Sequence, residues 1–129
     1  MHGLNIKYAR ALCRPSWRGE VGPELTVAEL QRQVRQLNDT KGFQITLEQR
    51  LAYLMSEVGE VAKEVLRLSR DGSEDVGKME AAETKAVVGN LGMQIYDVIW
   101  NLLDLADMVG IDLEEAFKRK ASLNEGRRW

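Results

Sequence analysis

The chain has 129 residues and a formal net charge of -2, enough for one domain with a real core but not for two. Hydrophobic residues make up 44% and charged residues 29%, an ordinary soluble balance that gives no reason to expect a nucleic-acid groove. Two prolines and few β-branched clusters argue against an all-β domain, and the single cysteine, Cys13, excludes an intrachain disulfide framework and a Cys-rich zinc site. A lone thiol suits a reducing cytoplasm. No apolar run approaches the ~20 residues a membrane span needs, and no signal-peptide pattern opens the chain.

Residues Met1 to Glu24 form the least regular stretch. Arg10, Arg14 and Arg18 are four apart, with Tyr8, Leu12 and Trp17 among them, while Pro15, Gly19, Gly22 and Pro23 break any long helix. The stretch reads as an arm over residues 1–25 that packs on a neighbouring subunit or as a loose terminus, and the arm is the expectation because Leu12 and Trp17 are costly to leave wet. His2, the only histidine, is read as frayed rather than catalytic. Helical periodicity starts at Thr26, a predicted N-cap with Glu29 at the capping-box position. Val27, Leu30, Val34 and Leu37 then share a face, and the polar run Asn38 to Gly42 ends the helix. Phe43 follows, as a core plug or as a platform for a flat base.

Thr46 is the next predicted N-cap, and a long helix runs from about Leu47 to Ser69. Leu54, Val58, Val61, Val65 and Leu68 make its apolar stripe, at about 100° per residue. Glu57, Glu60 and Glu64 border that stripe within an arc of about 60°. Acids at the edge of a buried face suit a hard divalent cation, which takes oxygen ligands. The plainer reading is a solvated acidic face with Lys63 and Arg67 as partners. Asp71 to Lys78 is a polar, glycine-containing loop. Met79 to Val88 is predicted helical, with Gly89 and Gly92 interrupting, before a strong helix from Met93 to about Val109 that Gly110 stops.

On that helix Gln94, Asp97, Asn101 and Asp104 form a polar stripe beside Ile95, Val98, Ile99, Leu102, Leu105 and Ala106. Polar groups beside so apolar a surface need partners, because burying them unpaired is costly. Antiparallel packing on the glutamate helix would set the two stripes face to face, the arrangement of metal sites in helical bundles. Asp112 is the N-cap of the last helix, with Glu115 at the box position and Leu113, Ala116, Phe117 and Leu123 as its apolar residues. Lys118, Arg119, Lys120, Arg127 and Arg128 give the chain's end a positive charge. That suits a helix C-terminus, or phosphates held nearby. Asn124 lies one helical turn after Lys120.

In order, Glu57-Val58-Gly59-Glu60, Gln94-Ile95-Tyr96-Asp97-Val98-Ile99-Trp100, Leu105 to Ala116 and Lys120 to Trp129 resemble the MazG-like all-α nucleoside triphosphate pyrophosphohydrolases. The resemblance spans about residues 26–129. It implies an all-α helical bundle of four to five helices whose four-helix core is completed by dimerisation, as a homodimer or homotetramer. It implies Mg²⁺-dependent hydrolysis of a nucleoside triphosphate, with Mn²⁺ as an alternative ion, to the monophosphate and pyrophosphate. The task would be housecleaning of the nucleotide pool.

Residue by residue, the resemblance implies metal ligation by Glu57, Glu60, Gln94 and Asp97, with Glu60 or Glu64 as the base. It implies nucleotide contacts from Phe43, Asn101, Lys120 and Asn124. Lys120 with Arg127 or Arg128 would stabilise the leaving pyrophosphate. Trp100, Leu102 and Leu103 are the expected subunit contacts. Two positions depart from the pattern. Lys63 stands where related sequences often have another acid, and Gln94 stands where they have glutamate. Gln94 offers a neutral carbonyl oxygen and no charge. Three accounts follow: Glu64, Glu80 or Glu83 completes the site; the glutamine replaces a natural glutamate by design; or the chain binds nucleotide and metal as a weakly active or non-catalytic regulator. A plain helical association module with solvated acids is a further alternative.

Overall fold

The computed structural model describes residues 25–69 and 80–128. All of their regular structure is helical: α1 (Val27–Lys41), α2 (Leu47–Ser69), α3 (Ala81–Met108) and α4 (Leu113–Glu125). The fold is therefore all-α. Residues 1–24, with the expected arm, Cys13 and His2, and the loop at 71–78 lie outside the described residues.

Each predicted cap forms. Thr26 Oγ1 accepts from Glu29 N–H at 3.1 Å, and Asp112 Oδ1 accepts from Glu115 N–H at 3.0 Å. Neither box closes, because Glu29 turns to Arg32 and Gln33, and Glu115 to Lys118 at 3.6 Å. The reciprocal box stands at α2 instead. Thr46 Oγ1 accepts from Gln49 N–H at 3.2 Å, and Thr46 N–H donates to Gln49 Oε1 at 2.9 Å. At the other ends, Gly42 (φ 65°) and Gly110 (φ 72°) take the left-handed conformation that glycine adopts cheaply. After α3 the turn is a Schellman motif: Ile111 N–H donates to Ala106 C=O at 2.8 Å, and Gly110 N–H to Asp107 C=O at 3.1 Å.

One expectation fails. Gly89 and Gly92 do not interrupt α3, which runs unbroken from Ala81 to Met108. A glycine within a helix costs about 0.5–1 kcal/mol relative to alanine. The helix-favouring run around them, with Val87 fully buried, outweighs that cost.

The described residues fall into two compact units, Met55–Val98 and Gly22–Leu54 with Ile99–Trp129, each taken in its described part. The division cuts through α2 and α3. In the second unit α1 packs on α4. Gln31, buried on α1, clamps the turn before α4: its Nε2 donates to Ile111 C=O at 2.6 Å, and its Oε1 accepts from Leu113 N–H at 3.2 Å. Val34, Leu54, Leu103 and Ala106 supply apolar burial in that unit, and Leu68 and Val87 in the other.

Candidate functional site

The burial pattern along α2 corrects the predicted stripe. Arg50, Leu54, Glu64 and Leu68 are buried, and Glu57, Glu60 and Val61 half-buried. Val58 and Val65 are exposed, at 40% and 46%. The buried sector has rotated towards the acids and takes in Glu57 and Glu64, while Glu60, its side chain 47% exposed, stays at its border. A second apolar stripe, Leu51, Met55, Val58, Ala62 and Val65, faces outward, with Met55 60% exposed. The same inversion holds along the middle of α3. There Gln94, Asp97 and Val98 are half-buried and Asn101 and Asp104 buried, while Ile95, Ile99 and Leu102 are exposed.

In the unit Met55–Val98, the inward acids have cations at their flanks. Lys63 Nζ lies 3.5 Å from Glu60, and Arg67 Nη1 lies 3.4 Å from the 7%-exposed Glu64. Glu64 is the most enclosed of the three acids, and its partner Arg67 is half out in solvent. Among the described residues no three His, Cys, Asp or Glu side chains come together as a group that could hold a metal ion. The oxygen donors of Glu57, Glu60, Gln94 and Asp97 are nevertheless the right chemistry for Mg²⁺. That ion is commonly held by one or two carboxylates with substrate phosphates completing its shell.

The unit containing Ile99–Trp129 holds a polar centre that the sequence did not single out. Arg50 and Asp104 form a buried ion pair, Nε to Oδ2 at 2.6 Å, with both side chains 6% exposed. The Nε–H is not aligned on that oxygen, so the contact is ionic rather than a directed hydrogen bond. Arg50 Nη1 also donates to Asn101 Oδ1 at 2.8 Å, and the guanidinium lies 4.8 Å from the centroid of Trp100. Asp104 Oδ1 accepts from Asn38 Nδ2. Nearer the surface Arg35 pairs with Asp107, which raises the arginine's pKa through hydrogen bond and charge.

This centre floors a cavity of about 490 Å³ whose rim includes Phe43. Phe43 is 56% exposed, so it is not the core plug that was one expectation. Asn101 is committed to Arg50 in the interior. Lys120, Arg127 and Arg128 are exposed on and after α4, and Asn124 is half-buried with its Oδ1 enclosed and unpaired. Leu103, expected at a subunit contact, is buried within its own chain, whereas Leu102 is exposed and Trp100 half-buried.

Arg50 was the residue to find. It is four before Leu54, on the buried face of α2, and a lone cation in that register needs a buried acid. Asp104 was already in the polar stripe.

No protein-family model matches the chain. An uncharacterized protein of Bacillus subtilis (strain 168), YvdC, is 34% identical to it over 71 residues. The match covers 54% of this chain and 63% of that protein, a little under two thirds of the relative's length.

Proposed function

We propose that the protein is a Mg²⁺-dependent nucleoside triphosphate pyrophosphohydrolase that releases pyrophosphate and a nucleoside monophosphate. The observation that carries the reading is the inverted burial of α2. Glu57 and Glu60 are half-buried and Glu64 buried, while Met55, Val58 and Val65 stay exposed. Burying Glu64 while Val58 and Val65 stay exposed costs free energy, which Arg67 offsets in part and a bound cation would offset further. The plainer alternative, a solvated acidic face with Lys63 and Arg67 as partners, accounts for the pairs Lys63–Glu60 and Arg67–Glu64 but not for the burial of Glu64.

In this reading Glu57, Glu60 and Asp97 hold the cation, with Gln94 adding a neutral oxygen and the triphosphate supplying the remaining donors. The ion, when bound, neutralises phosphate charge and acidifies water. Glu60 or Glu64 then accepts the proton of the attacking water.

A second copy of the chain covers the exposed apolar stripes of α2 and α3, giving a homodimer or a pair of dimers. Leu51, Met55, Val58, Ile95, Ile99 and Leu102 are spaced as helix–helix contacts and are exposed among the described residues. No described helix is long and apolar enough to cross a membrane.

Pyrophosphate release from a panel of nucleoside triphosphates with Mg²⁺ tests the enzyme. Thermal shift with Mg²⁺ and a non-hydrolysable analogue tests the second reading, a nucleotide- and metal-binding regulator, which the neutral Gln94 favours. Binding without turnover selects the regulator.

A further inference from the structure

We infer that the cavity between α1 and the end of α3 takes a flat heterocycle bearing an exocyclic amine, the base of an amino-substituted nucleoside. The inference rests on the nucleotide reading above and adds the base preference. Its volume, about 490 Å³, lies in the usual range for small-molecule sites. Its residues all belong to one unit, Gly22–Leu54 with Ile99–Trp129.

Three features define the ligand. The first is Asn38. Asp104 can only accept, so the amide must turn its Nδ2 towards the carboxylate. The carbonyl Oδ1 is thereby fixed as an acceptor, and it is enclosed with no donor. An unpaired buried acceptor is destabilising, and a ligand N–H relieves it. The bordering segment, residues 43–46, lies outside any helix and is largely exposed.

The second is charge. Arg35 and Arg50 are already paired with Asp107 and Asp104, and Asp39 adds a third carboxylate against two guanidiniums. The wall is acceptor-rich and carries a net negative charge. It repels phosphate and ring carbonyls and attracts amino groups. The third is Phe43, an exposed ring on the rim where a base can stack.

Adenine, cytosine and guanine rings carry the required amine. Uracil and thymine present carbonyls on both sides of their single ring N–H.

The test uses nucleosides, which lack the phosphates on which hydrolysis depends. Calorimetric titration of the full chain with cytidine, adenosine and uridine should give at least one amino-bearing nucleoside an affinity roughly tenfold above uridine's, the worth of one hydrogen bond. Asn38→Ala should erase that preference. Phe43→Ala changes an exposed side chain and leaves the core intact. It should weaken every base by roughly five- to a hundredfold. Equal binding of uridine and the amino-bearing nucleosides, or no binding of any, overturns the inference. Pyrophosphate release that ignores the base identity removes this pocket and keeps the hydrolase. Amine-selective nucleoside binding without pyrophosphate release keeps the pocket and removes the hydrolase.

Discussion

Replacing Arg50 by methionine removes one partner of a buried ion pair and leaves the other in place. Asp104 would keep its negative charge, 6% exposed, with the Asn38 amide as its donor. Asn101 Oδ1 would lose the Arg50 donor at 2.8 Å, and Trp100 the stacked guanidinium. Breaking a buried pair in this way typically costs about 3–5 kcal/mol. For a chain of this size, each 1 kcal/mol lowers Tm by roughly 4 °C, so the single variant should melt about 12–20 °C lower.

The double variant Arg50→Met/Asp104→Leu removes both charges and substitutes side chains of similar volume. Such replacements are often neutral or stabilising, but this one also takes the Arg50 donor from Asn101 and the Asp104 acceptor from Asn38, so the double variant should recover part of the loss rather than all of it. Urea titration at one fixed protein concentration, analysed as a double-mutant cycle, yields the coupling energy directly. A single-variant loss below ~1 kcal/mol, or a double variant no better than the single, would refute the view that Arg50 and Asp104 hold this unit together.

Three further outcomes follow from other parts of the chain. Ile99→Glu places a charge in the exposed apolar stripe of α3; light scattering should show a smaller assembly than the parent, and an unchanged mass would count against self-association. Gly110→Ala forces an L side chain into φ 72°, and should cost about 1–2 kcal/mol in urea unfolding. Glu29 is held at about 2, down from 4.5, first by the hydrogen bond from Arg32 and then by that from Gln33. A depressed carboxyl pKa stabilises the fold above the unfolded value and loses that contribution as pH falls from about 4.5 through about 2. An NMR titration of the Glu29 carboxyl should show the low midpoint, and Arg32→Ala should return it towards 4.5.

Local chemistry made the element ends legible. Thr26, Thr46 and Asp112 cap as their residue types predict, and Gly42 and Gly110 stop helices because only glycine takes the left-handed turn cheaply. Gly89 and Gly92 were misread because a glycine also permits helix, and the apolar run around them decides the matter.

The faces were half legible. Apolar spacing marks the contact-forming surfaces of α2 but does not say which of them is covered within the chain. Both Leu54 and Val58 fit the predicted stripe, yet only Leu54 is buried. The polar centre was harder. Asn38 reads as a helix-ending residue, and Arg50 draws no reading from the sequence at all. Their roles depend on Asp104, more than fifty residues on, and no local pattern carries that pairing.

Among all these measurements, pyrophosphate release by the parent chain and Glu57→Gln, each with and without Mg²⁺, bears most directly on the enclosed acids of α2. Turnover by the parent that requires the cation and falls at least a hundredfold in the variant is the predicted result. Equal release by both proteins, or none above the buffer rate from the parent, would contradict it.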